Sequence, residues 1–193
     1  NISLYFYNKP FINLTWHGAY SKAYFDKHYD SLVFSHIGYD LLEKNQVLML
    51  KSNLPFSSYE VSDINFKGIY NDLSSPKGIY NDSLTNTNMS FDGDNSSAIQ
   101  FNIELNPFEE KEINIVCAIG KEKRTVFKVI NKYLSNESYY LEREKNKKVN
   151  DEINNKVILS SSDEYLNVLT SIWLKRQINL GKTWGRVYGK GFR

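Results

Sequence analysis

Cysteine is nearly absent from this chain. The lone thiol, Cys117, rules out an internal disulfide framework. It lies in an apolar, strand-like run and is expected to be a small buried hydrophobe. Asn-X-Ser/Thr tripeptides such as Asn13-Leu14-Thr15 arise by chance in so Asn-rich a chain and do not outweigh that reducing signature. Long apolar runs are also missing: none approaches the ~20 residues of a membrane-spanning helix. No leader-like opening segment is present either. The expectation is a soluble, cytoplasmic protein without membrane partners, whose N-terminus, lacking Met, has been trimmed. Nor is there an excess of one charge. Against 24 basic residues stand 22 acidic ones, a net +2, which argues against nucleic acid as a partner.

Catalytic signatures are equally scarce. His17, His28 and His36 have neither the spacing of a helical zinc pair nor a cysteine cluster beside them, so they read as structural or surface residues with no metal assigned. No Gly-X-Ser-X-Gly, phosphate-binding loop or dinucleotide fingerprint occurs. The oxygen-rich Asp92-Gly93-Asp94-Asn95-Ser96 lacks the sixth-place Gly and terminal Glu of a calcium loop and reads as a solvated turn. No self-contained catalytic set is present, and no catalytic residue is assigned.

What the chain has in quantity is aromatic side chains, 15% of residues, with 14 Tyr and 11 Phe. That load suits a Tyr-rich β-sandwich core or sugar stacking. Residues 1–120 read as strands and loops. Ile2 to Tyr7 is β-rich and ends at Pro10; Ser31 to Ile37 and Gln46 to Lys51 are further strands. Thr15 to Tyr20 forms an aromatic loop, followed by Tyr24, Phe25 and Tyr29. The clearest strand is Ser97 to Leu105, where Ile99, Phe101, Ile103 and Leu105 alternate with Gln100, Asn102 and Glu104. Ile113, Ile115, Cys117 and Ile119 continue that alternation after a turn at Asn106 to Glu110, which predicts an antiparallel pair between the two runs. Residues 63–96 read as irregular and polar. The hexapeptide Lys-Gly-Ile-Tyr-Asn-Asp occurs there twice, at Lys67 to Asp72 and Lys77 to Asp82, too few copies for a solenoid.

After Gly120 the period changes. Thr125 to Leu134 sets Val126, Val129, Ile130, Tyr133 and Leu134 on one helical face, and Ser138 to Asn154 reads as a charged, exposed helix. Val157-Ile158-Leu159 predicts a short β-like run. A final helix is expected from a cap at Ser161 or Ser162, Ser161 matching a capping box with Glu164, to about Gly181-Lys182, with Leu166, Leu169, Trp173 and Leu180 on a face that must pack. Beyond it, Gly185, Gly189 and Gly191 permit tight turns. Trp184 and Tyr188 offer planar surfaces; Arg186, Lys190 and Arg193 offer donors. Such a loop suits sugar rings or phosphate, and it equally suits a basic surface tail.

The residues Trp173-Leu174-Lys175-Arg176-Gln177, Trp184-Gly185-Arg186 and Gly191-Phe192-Arg193 resemble glycoside hydrolase family 94, formerly glycosyltransferase family 36. Ser52 to Pro55, Phe66-Lys67-Gly68, and the runs Asp94 to Leu105 and Leu105 to Gly120 look like that family's N-terminal sandwich. The ending Trp-Gly-Arg-Val-Tyr-Gly-Lys-Gly-Phe-Arg looks closest to phosphorylases of 1,2-β-oligoglucans. Cellobiose-type members carry Arg at the position of Tyr188. The resemblance implies a mainly β fold with C-terminal helices: an antiparallel β-sandwich (a supersandwich, galactose-mutarotase-like) at 1–120, a helical linker at 121–160, and the start of an (α/α)6 barrel at 161–193. It implies an inverting phosphorylase in which phosphate attacks the anomeric carbon while an Asp acts as general acid. That Asp follows the family's Gly-Phe-Arg, so the expectation for this chain is an inactive fragment of the parent enzyme. The implied substrate contacts are Trp184, Arg186, Tyr188 and Arg193. The implied partners are a β-linked oligosaccharide and inorganic phosphate as co-substrate, with no other cofactor and a possible homodimer. Two other readings stand beside it: a stand-alone carbohydrate-binding sandwich, and an interaction protein docking through its terminal helix.

Overall fold

The computed structural model describes residues 1–10, 20–37, 46–91 and 95–184. Two compact units divide the chain, residues 1–139 and 140–193.

In the first unit the strands form two antiparallel sheets. One has three strands in the order β1 (Ile2–Asn8), β7 (Asn95–Ile103), β5 (Ser58–Ser62). The other has five, in the order β6 (Met89–Ser90), β2 (Tyr20–Asp26), β3 (Ser31–Ile37), β4 (Val47–Ser52), β8 (Ile115–Gly120). Side chains of period two on the facing sides supply the core: Ala23, Leu32, Phe34, Leu50, Val61, Ile99, Phe101 and Ile103 are buried together. This is the antiparallel sandwich expected of the sequence. Strand β2 was not legible as a strand, although its Ala23 and Phe25 face the core while Tyr24 faces out.

Both outer faces are covered as well. Helix α2 (Lys123–Tyr133) lays Val126 and Ile130 on Val33 and Met49 of the five-stranded sheet. Phe127 joins them, whereas Val129, expected on that face, is exposed. Over the three-stranded sheet folds the segment 63–91, predicted irregular. It holds α1 (Asp63–Lys67) and a 3-10 turn at Lys77–Tyr80, and it buries Phe66 and Leu84 against Ala98, with Tyr5 and Tyr7 packed beside them. Gln100, on the polar side of the alternation, is therefore buried rather than solvated. Its Nε2 donates to Asp82 O (3.0 Å), and Ser58 Oγ donates to its Oε1 (2.5 Å). Glu60, 1% exposed, accepts from Ser62 N (2.8 Å), Thr87 Oγ1 (2.8 Å) and Thr85 Oγ1. Burying such groups is tolerable only because each finds partners.

The predicted pairing of β7 with β8 does not occur. β7 pairs β1 and β5, and β8 pairs β4, so residues 104–114 cross from one sheet to the other. Two hydrogen bonds seat the arriving chain: Asn53 N donates to Asn114 O (3.1 Å), and Asn114 N donates to Asn53 Oδ1 (2.8 Å). Cys117 is exposed, not buried. Its strand lies at the edge of the wider sheet, where Ile115 still reaches the core but Ile119, on the same face, is 57% exposed.

The two hexapeptides adopt different conformations. Gly68 terminates α1 with φ +92°, a region that favours glycine. Gly78 sits inside the 3-10 turn, where a Cβ would lie 2.7 Å from Phe66 Cδ2.

In the second unit, helix α3 (Asn136–Asn155, starting in the first unit) has no buried residue, as its charge pattern predicts. The β-like run predicted at Val157 to Leu159 does not form: Val157 lies in a bend, Ile158 and Leu159 have no regular structure, and none joins a sheet among the described residues. A continuous helix follows: α4 (Glu164–Val168), a π turn at Leu169–Trp173, and α5 (Leu174–Trp184). Its cap is Asp163, not Ser161. The Asp163 carboxylate accepts from Tyr165 N (2.9 Å) and Leu166 N (3.2 Å), while Ser161 is engaged with Asn167. The helix also runs through Gly181 and Lys182, the predicted end. One helical glycine costs only about 1 kcal/mol, too little to stop it. Among the described residues, no helix is long and apolar enough to cross a membrane.

Candidate functional site

Of the four residues expected to touch substrate, Trp184 is the last residue of α5. Arg186, Tyr188 and Arg193 lie outside the described residues. What the structure does define is the helix that leads to them. Its start is held twice: by the Asp163 cap, and by Asn167, whose Oδ1 accepts from Ser161 N (2.8 Å) and whose Nδ2 donates to Ser161 O (2.9 Å). Midway, Leu174 N bonds back to Leu169 O, the five-residue step of a π turn. Thr170 Oγ1 donates to Leu166 O (2.7 Å) at the same level. Farther on, Lys175 Nζ donates to Asn154 O and Val157 O, placing a cation on the carbonyl end of α3.

The apolar face predicted for this helix is present but exposed: Leu166 is 40%, Leu169 48% and Trp173 54% accessible. Between Tyr165, Val168, Leu169 and Trp173, with Glu164 at its edge, lies an open groove of about 550 Å³. Two aromatic planes and one carboxylate are groups suited to a sugar ring and its hydroxyls. Tyr165 was missed in the sequence because it stands outside the Leu166-Leu169-Trp173 stripe, and nothing in the residue pattern announces a π turn.

Asp63 and Asp26, by contrast, belong to the scaffold. Asp63, its side chain 2% exposed, meets Lys67 (2.7 Å) and Lys9 (3.2 Å) and accepts from Tyr7 OH (2.5 Å). Burial alone would raise its pKa, but the hydrogen bonds from Lys67, Tyr7 and Lys9 outweigh it and hold the carboxyl below its ordinary value. Asp26 is held low in the same way: burial acts to raise it, and the 2.7 Å contact with Lys123 prevails. Lys123 also stands over the rings of Tyr24 (5.7 Å) and Tyr29 (5.6 Å). Although Cys117 is exposed at the sheet edge, partial desolvation by the surrounding chain pushes its thiol up, the reverse of an activated nucleophile. His28 is exposed with its ring edge-on to Tyr29 (4.6 Å), a surface residue; His17 lies outside the described residues. No group of three or more His, Cys, Asp or Glu capable of holding a metal occurs among the described residues.

Two facing antiparallel sheets, with a covered outer face on each, thus lead into a helical segment. Residues 3–136 match the family model described as glycosyl hydrolase 94, supersandwich domain. The chain belongs to this family. The matched span takes in the eight described strands, apart from Ile2 at the start of β1, and α2, and it ends where α3 begins. Family 94 membership was legible in the sequence, and the sandwich it implied is present. No curated protein matches the chain.

Proposed function

We propose that this chain is the sandwich and linker region of an inverting glycoside phosphorylase, which transfers a glucosyl unit from a β-glucan to inorganic phosphate and releases glucose 1-phosphate. The family 94 match over residues 3–136 carries this reading. On it, residues 1–120 form the sandwich, 121–160 the linker and 161–193 the entry into a helical catalytic barrel. No catalytic residue is assigned to this chain: Asp26, Glu60 and Asp63 are each engaged by partners within the scaffold.

Within the intact enzyme, Trp184 and Tyr188 supply stacking surfaces, and Arg186 and Arg193 supply donors to phosphate or sugar hydroxyls. Phosphate attacks the anomeric carbon from the face opposite the leaving oxygen, which an Asp protonates. Tyr188, in place of an Arg, favours 1,2-β-linked substrates over cellobiose. The test is phosphorolysis by the product of the whole open reading frame, offered 1,2-β-, 1,3-β- and 1,4-β-glucans. Glucose 1-phosphate released fastest from the 1,2-β-glucan supports the reading. Release of free glucose without phosphate consumption would sink it.

A further inference from the structure

The hexapeptide Lys-Gly-Ile-Tyr-Asn-Asp, at Lys67 to Asp72 and again at Lys77 to Asp82, has no part in the phosphorylase reading. Its second glycine, Gly78, lies under Phe66 and Leu84 in the cover of the three-stranded sheet. The isoleucines and tyrosines of both copies face solvent instead. Ile69 is 78% exposed, Tyr70 97%, Ile79 39% and Tyr80 71%, with Leu73 (55%) in the stretch between the copies. Together they leave on the order of 600 Å² of largely apolar area uncovered, the upper end for a monomeric protein and a size that commonly marks a binding surface.

Part of this surface is fixed before any ligand arrives. Asn71 Nδ2 donates to Ser75 O (2.9 Å), and Ser75 Oγ shares a 2.8 Å hydrogen bond with Tyr80 OH. The loop between the copies is tied to both, which lowers the ordering cost of binding. The polar groups beside the rings then select the ligand. Each tyrosine is followed by Asn and Asp. Asp72 Oδ1 accepts from Ser74 N (2.8 Å) and Ser74 Oγ (2.5 Å), so its carboxylate is held in place at the surface. Lys77 and Asp82 are also exposed, and neither enters an ion pair among the described residues. Two carboxylates against one ammonium disfavour a polyanion or an anionic membrane. They suit a neutral ligand rich in hydroxyls, which donate to carboxylates and accept from an ammonium group. To lie on phenol rings, that ligand also needs an apolar face. A β-linked glucose unit has both, with C–H bonds on the faces of its chair and hydroxyls around the edge.

We propose that this surface binds a β-linked glucan chain, with pyranose faces on Tyr70 and Tyr80 and hydroxyls on Asp72, Lys77 and Asp82. The choice of sugar rests on the phosphorylase reading, which makes such a chain the substrate. Holding a polymer here raises its effective concentration for the enzyme that carries this surface.

The test is isothermal titration of the 193-residue chain with linear 1,2-, 1,3- and 1,4-β-glucan hexasaccharides in turn, and with maltohexaose as the α-linked control. Circular dichroism confirms that each variant is folded. The wild type is expected to bind at least one β-linked probe with a Kd of about 1 mM or tighter, and maltohexaose ~10-fold more weakly. Tyr70→Ala and Tyr80→Ala each weaken binding ~10-fold, since each removes one stacking plane. Tyr70→Phe keeps the plane and stays within ~2-fold of wild type. Asp82→Ala weakens binding ~3-fold by removing an acceptor.

A wild type that binds none of the three β-linked probes at ~10 mM overturns the proposal. So does binding unchanged by both alanine substitutions, or equally tight for maltohexaose. A chain that self-associates through Tyr70 in sedimentation velocity and binds no probe assigns the surface to protein contact, and also overturns it. The phosphorylase reading is judged separately, by phosphate consumption with the product of the whole open reading frame. Tyrosine-dependent glucan binding without phosphorolysis sinks that reading and leaves this surface standing; phosphorolysis without glucan binding by this chain does the reverse.

Discussion

Two side chains bear more of the fold than their residue types suggest, and both are testable singly. Gly78 lies so close beneath Phe66 and Leu84 that an added Cβ would meet them at 2.7 and 3.1 Å. Gly78→Ala is expected to destabilise the first unit by about 1–3 kcal/mol through overpacking, seen as a lower urea midpoint with unchanged slope. Gly68, the same residue of the same hexapeptide, resists a side chain first through its positive φ, with Lys77 Cβ at 3.3 Å adding a tight contact. Asp63 gives a pH signature. Its carboxyl is held below the ordinary value, so its stabilising contribution is fully present above the unfolded value near ~4 and is lost as pH falls through the lower folded value. Asp63→Asn is expected to cost about 1–3 kcal/mol at pH 7, and the gap between wild type and variant should close on acidification. A gap that stays constant from pH 7 to pH 3 would rule out this linkage. None of this is visible at sequence level, where Tyr7, Lys9 and Asp63 are three unrelated letters.

Elements were legible where one rule decides them and illegible where a choice of neighbour decides them. The alternation at Ile99 to Ile103 dictates a strand whatever lies beside it, and a strand is there. The same pattern says nothing about which sheet the strand joins, so β7 and β8 were expected to pair when they lie in different sheets. Burial of Gln100 and Glu60 escaped for a related reason: their cover is a polar segment whose apolar content, Phe66 and Leu84, is thinly spread. At the second unit, Ser161/Glu164 satisfied a capping pattern that Asp163 satisfies better, being adjacent to the first turn and charged. Asp163→Ala is therefore expected to cost about 1 kcal/mol of helix stability, measured as lost helical circular dichroism on warming. Helix α2 is a separate matter of packing. Ile130→Ala, removing a fully buried side chain from the outer face of the five-stranded sheet, should destabilise the first unit by about 2–4 kcal/mol.

Across the whole chain, burial is unequally shared. The first unit holds the hydrophobic clusters, whereas no residue described in α4, the π turn or α3 is buried. Native-state hydrogen exchange should divide accordingly. Amides of β3, β4 and β7 are expected to be protected to the limit of global unfolding, and those of α3 to α5 to exchange orders of magnitude sooner. Uniform protection along the chain would contradict that division. The candidate substrate loop shares this split in legibility: its sequence motif pointed to the family, but of the four residues expected to touch substrate only Trp184 lies among the described residues.

The pairing of β1 has a cost in time. Among the described strands its partner is β7 alone, with Ile2 opposite Ile103. On a ribosome adding 5–20 residues per second, roughly 5–20 s separate the synthesis of the two strands. Throughout that interval Phe6 and Tyr7 have no sheet to enter, and their edge is open to any extended peptide nearby. Nascent chains arrested before β7 should therefore recruit a holding chaperone, and chains arrested well after it should not.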